Sequence, residues 1–92
     1  MRKTWNELAT LPVGTRVVFD DFDIYPYCIV RAGTAGTITR NDLLDSFPIL
    51  YVLPDDPAVR EALSEWQGQV EFAPANGGEE FTDLSPLAVM EG

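Results

Sequence analysis

The chain has 92 residues, 46% of them apolar, and a formal net charge of −9. That length suits one domain with a modest core, and the apolar share excludes a disordered chain. One cysteine, Cys28, and no histidine exclude an internal disulfide framework, a zinc or iron–sulfur site and a histidine-based catalytic triad.

The charge is unevenly distributed. Residues 1–40 carry four acids against five bases, a net of +1, whereas residues 41–92 carry eleven acids against Arg60 alone, a net of −10. Such a field repels nucleic acid phosphates and attracts basic partners. The start Met1-Arg2-Lys3-Thr4-Trp5-Asn6-Glu7 is basic, but no apolar run of signal-peptide length follows it. No stretch approaches the roughly 20 apolar residues of a membrane span. The expectation is a soluble, cytoplasmic protein.

In chain order, Thr4-Trp5-Asn6-Glu7 fits a capping box with Thr4 as N-cap and Glu7 three residues on. A helical segment within residues 1–12 follows, with Trp5, Leu8 and, at its end, Leu11 facing the body, and Leu11-Pro12-Val13-Gly14 ends it. Arg16-Val17-Val18-Phe19 reads as a first strand. Residues 20–27 hold three acids, three aromatics and Pro26, and read as a long irregular loop with an aromatic lining. Cys28-Ile29-Val30 is extended and leads into Ala32-Gly33-Thr34-Ala35-Gly36, whose two glycines suit a tight turn with positive φ.

Thr37-Ile38-Thr39-Arg40 is a second strand, β-branched and alternating. Residues 47–53 are apolar on both faces and read as a central, covered strand. Asp56 and Pro57 mark a helix start, with Val59, Leu63 and Trp66 on one stripe and Gly68 as the stop. Residues 55–68 thus form a helical insert. Gln69-Val70-Glu71-Phe72 is a fourth strand with Val70 and Phe72 inward. Residues 74–78 read as a flexible loop and residues 81–86 as a helical turn. Leu87-Ala88-Val89-Met90 closes the chain as a fifth strand. Val17, Ile38, Leu50, Val52, Val70, Phe72, Leu84 and Val89 are the expected core.

Three stretches resemble the Src-homology-3-like (SH3-like) barrels of bacterial type: Val13-Gly14-Thr15-Arg16-Val17, Ala32-Gly33-Thr34-Ala35-Gly36-Thr37-Ile38 and Phe81-Thr82-Asp83-Leu84-Ser85-Pro86-Leu87. The second is similar to a KOW-type turn. The third resembles the helical turn before the last strand of the photosystem I extrinsic barrel subunit and its relatives. The resemblance implies an all-β fold: a five-stranded SH3-like barrel over residues 1–92, with the insert between strands 3 and 4. KOW barrels often touch RNA or ribosomes, but this chain lacks the basic surface such contact needs.

Catalysis is poorly supported. Ser46, Ser64 and Ser85 have no histidine partner, and Cys28 has only Arg31 near it to favour a thiolate. Asp20-Asp21-Phe22-Asp23 lacks the ligand ladder and distal glutamate of a calcium loop, so three solvated acids are expected there. No cofactor and no metal site is expected.

Phe19, Phe22, Tyr25 and Tyr27 with Pro26 admit two readings: an aromatic groove for a peptide, or rings covering the open end of a barrel. Trp66 either packs on the barrel or anchors a partner. The acidic half either keeps the protein soluble or mimics a nucleic acid backbone, as small anti-restriction and anti-CRISPR proteins do. To the latter the chain is similar in charge and size, not in motif.

The expected function is a non-enzymatic acidic binding module acting through protein–protein contact, and the alternative is an inhibitor occupying a basic nucleic-acid-binding site. The partner is then a basic protein or such a basic surface, with no direct nucleic acid binding and no membrane. Candidate contact residues are Phe22, Tyr25, Tyr27, Asp55, Asp56, Glu61, Glu65, Trp66, Glu79 and Glu80.

Overall fold

The computed structural model describes residues 2–74 and 80–90. The expected loop at residues 74–78 and the candidate Glu79 lie wholly or mostly outside the described residues.

Strand β1 (Arg2–Thr4) precedes helix α1 (Trp5–Leu8). Both halves of the capping box are formed. The Thr4 hydroxyl accepts from the Glu7 amide, and the Thr4 amide donates to Glu7 Oε1 at 3.0 Å. Trp5 and Leu8 are buried, the two residues that one short turn can point inward. Strand β2 (Arg16–Phe19) is followed by a hairpin of β3 (Phe22–Ile24) and β4 (Cys28–Val30). Strands β5 (Ala35–Asn41) and β6 (Leu50–Pro54) lead to helix α2 (Pro57–Ala62) and a 3₁₀ turn (Ser64–Trp66). Strands β7 (Val70–Phe72) and β8 (Leu84–Val89) complete the chain.

The main sheet is antiparallel with strand order β1-β8-β2-β5-β6-β7. It curls into half a barrel around one core. Alternation along the strands decides which side chains enter that core: Leu50, Val52 and Pro54 of β6 point in, as do Val70 and Phe72 of β7, while Glu71 between them is exposed. A shift of register between Ile38 and Arg40 against β6 bends the sheet. The β3–β4 hairpin forms a separate small sheet laid over the core, with Phe22 4.7 Å from Phe72 between ring centroids and Phe19 5.8 Å from Phe72.

Several expectations are corrected. Eight strands are present among the described residues, not five. Residues 20–27 are not irregular throughout, because Phe22 and Ile24 are half-buried and pair with Val30 and Cys28. The strand expected from residue 47 begins at Leu50, and Phe47 is 88% exposed because the chain is still turning there. The helical turn expected over residues 81–86 is a turn only to Asp83. Leu84, Ser85 and Pro86 already belong to β8, where they meet β1 and β2.

Leu84 is consequently 51% exposed, and Val89 is only half-buried, so neither is a core residue. Buried Ser85 stands in their place. Its hydroxyl donates to the Lys3 carbonyl at 2.7 Å and accepts from the Leu87 amide at 3.2 Å, which satisfies it where the β1–β8 register shifts. Of the glycine pair, only Gly33 has positive φ, at 90°. Gly36 serves close packing instead: a Cβ there would lie 2.9 Å from both Phe19 and Val52 side chains.

The insert is tied down at its start. Arg16 donates from Nη1 to Asp55 Oδ1 at 2.9 Å and to Thr37 Oγ1 at 2.7 Å, and its Nη2 pairs with Asp55 Oδ2. Asp56 caps α2 by accepting from the Ala58 amide at 2.9 Å, and Pro57 occupies the first turn. Gln67 and Gly68 both take positive φ and end the insert. Among the described residues, no helix is long and apolar enough to cross a membrane.

Candidate functional site

Helix α2 packs against β4 and β6. This contact carries the 3₁₀ turn that follows it to the side of the β3–β4 hairpin. Val59 and Leu63 are buried, whereas Trp66 is half-buried against the edge of the core. The hairpin turn, closed by the Tyr27 amide on the Ile24 carbonyl at 2.7 Å, delivers Tyr27 to the same place. The two rings meet edge to face with centroids 4.6 Å apart. Ile24, Leu63 and Val70 floor a groove of about 230 Å³ beneath them, and Gln69 and Glu71 border it.

A polar depression continues from this groove across the outer face of β5, β6 and β7. It shares Trp66, Gln69 and Glu71 with the groove and adds Thr39, Arg40, Tyr51 and Glu65. Thr39 donates to Gln69 Oε1 there. Arg40 is held by Asp42, and its guanidinium carbon lies 5.9 Å from the Tyr51 ring centroid. Glu65 and Glu71 are exposed.

The candidate residues do not form one site. Tyr27, Trp66 and Glu65 come together at this face. Phe22 belongs to the core margin through its contact with Phe72. Tyr25 stands 87% exposed at the hairpin tip. Asp55 and Asp56 have structural work, the first with Arg16 and the second as a helix cap. The Arg16 guanidinium holds the Asp55 carboxyl below its ordinary range, and Asp55 in turn raises Arg16. Glu61 is exposed on α2, and Glu80 is exposed at the start of the last connection, where its amide donates to Asp83.

Ile24, Leu63, Val70, Gln69 and Glu71 were not anticipated as part of a site. Leu63 gives a sequence signal by sharing a stripe with Trp66, and Glu71 gives one as the outward residue between two inward ones in Val70-Glu71-Phe72. Burial, and then the nearby charge of Asp23, push the Cys28 thiol up, which is the wrong direction for a thiolate nucleophile.

A larger cavity of about 820 Å³ lies between the hairpin and the strands β7 and β8, lined in part by Arg2, Trp5, Phe22 and Leu84. It also borders Ala73, close to where the chain leaves the described residues. No protein-family model, no curated protein and no solved structure matches the chain.

Proposed function

We propose that the protein is a non-enzymatic binding module built as an SH3-like barrel, acting through protein–protein contact at the Tyr27–Trp66 face. The barrel reading is supported by strand order. The five strands expected from sequence correspond to β2, β5, β6, β7 and β8, and the last of them returns beside the first. A meander that ends next to its own start is the arrangement a closing barrel requires.

One observation carries the functional reading. Tyr27 and Trp66, far apart in sequence, meet over an apolar groove at the surface, with Tyr27 still 47% exposed. Aromatic side chains in such settings are enriched among residues that anchor protein partners. The test is affinity capture from the native host with the unmodified protein and with Trp66→Ala, each at low and high salt. A protein retained by the first and lost by the second supports the proposal. Capture that is identical for both removes this face from the function.

A further inference from the structure

We propose that the groove under Tyr27 and Trp66 receives a short basic segment of a partner protein. An apolar side chain of that segment occupies the Ile24–Leu63–Val70 floor, and a lysine or arginine beside it lies against Glu65 and Glu71. This rests on the reading of the same face as a binding surface, and adds the chemistry of what binds.

Size restricts the occupant. The groove is about 230 Å³, below the roughly 300–1,000 Å³ of pockets for small-molecule ligands, and it suits one large side chain. Continuity extends it: the apolar part and the polar depression share Trp66, Gln69 and Glu71, so a chain leaving the first enters the second. Charge then selects the neighbour. The depression presents Glu65 and Glu71, while Arg40, its one cation among the described residues, is engaged by Asp42 and lies over Tyr51. Residues 41–92, which supply most of this face, carry a net of −10. A cation beside Trp66 gains from both carboxylates and from the ring face, whereas phosphate is repelled.

The test is selection of random short peptides displayed on phage, against the unmodified protein, Trp66→Ala and the double variant Glu65→Gln, Glu71→Gln. Peptides with a lysine or arginine within a few residues of a large apolar side chain should be enriched on the unmodified protein and lost on Trp66→Ala. The double variant, altered only at exposed positions, should bind the same peptides roughly three- to tenfold more weakly and with a smaller salt dependence.

Enrichment of acidic or uncharged peptides that still need Trp66 would overturn the basic occupant and leave the face as a binding surface. Basic peptides held equally by Trp66→Ala would overturn the groove as their seat. Absence of any Trp66-dependent peptide would overturn both readings. A concentration-dependent dimer in sedimentation, lost in Trp66→Ala, would identify a second copy of this chain as the occupant and overturn the basic segment.

Discussion

Asn41 joins three parts of the molecule through one amide. Its Nδ2 donates to the carbonyls of Leu8 and Leu11 at 2.9 and 2.8 Å, and its Oδ1 accepts from the Leu43 amide at 3.3 Å. The Leu8 carbonyl, at the end of α1, also accepts from the Leu11 amide at 3.0 Å, so the side chain adds a second bond there and ties the segment that follows the helix to β5. Asn41→Leu keeps the size and removes the donors. It should cost about 1–3 kcal/mol, read from chemical denaturation with an unchanged slope.

Asp55 gives the residue scale its pH dependence. The hydrogen bond from Arg16 lowers its pKa from the ordinary 3.8. A group lowered on folding contributes its full stability above the unfolded value and loses it as pH falls through the folded one. Melting temperature should therefore fall as acidity increases below about pH 4. Asp55→Asn should melt lower at neutral pH and show a shallower acid decline. The decline should not vanish, because Asp20 and Glu7 are lowered too, chiefly by the backbone amides of Asp21 and Thr4.

At the scale of elements, the insert is the part that adds the Trp66 side of the groove to the curled sheet. Its start is fixed by Asp55 on Arg16 and by the Asp56 cap, and its middle by Val59 and Leu63. Asp56→Ala should lower stability by about 1 kcal/mol, checked by thermal melting. Trp66 lies at the margin. A fully buried tryptophan truncated to alanine costs about 3–5 kcal/mol. Half-burial places Trp66→Ala nearer 1–2 kcal/mol by lost apolar area, so the variant should fold and remain usable in binding assays. A loss in the higher range would identify Trp66 as core.

Elements also differ in how well their residues announce them. The capping box of α1, the Asp56-Pro57 start of α2 and the alternation of β7 were legible because each depends on neighbours within a few positions. The β3–β4 hairpin was hidden by acids and Pro26, which weaken strand preference around the half-buried Phe22 and Ile24. Strand β1 was hidden because Arg2-Lys3-Thr4 is polar, which an edge strand tolerates. Phe47 misled in the opposite direction, since an apolar residue need not be inside. The groove was only half legible: Tyr27 and Trp66 were visible as candidates, but no local pattern brings residues 39 positions apart together.

At the scale of the whole molecule, charge and shape divide the labour. In the proposed binding mode, the −9 net charge would act on a basic partner from a distance and weaken with salt, whereas the aromatic groove would act only at contact. The acids are not interchangeable within that field, because Asp55 and Asp56 serve the fold while Glu65 and Glu71 flank the groove. The two tryptophans offer a direct measurement of the central claim. Trp5 is only 2% exposed within the core, and Trp66 stands in the groove. In a two-dimensional nitrogen–proton NMR spectrum of the labelled protein, a partner captured from the host should shift the Trp66 indole Nε1–H resonance and leave that of Trp5 in place. A partner that binds while the Trp66 resonance stays where it was would contradict the Tyr27–Trp66 face as the binding surface.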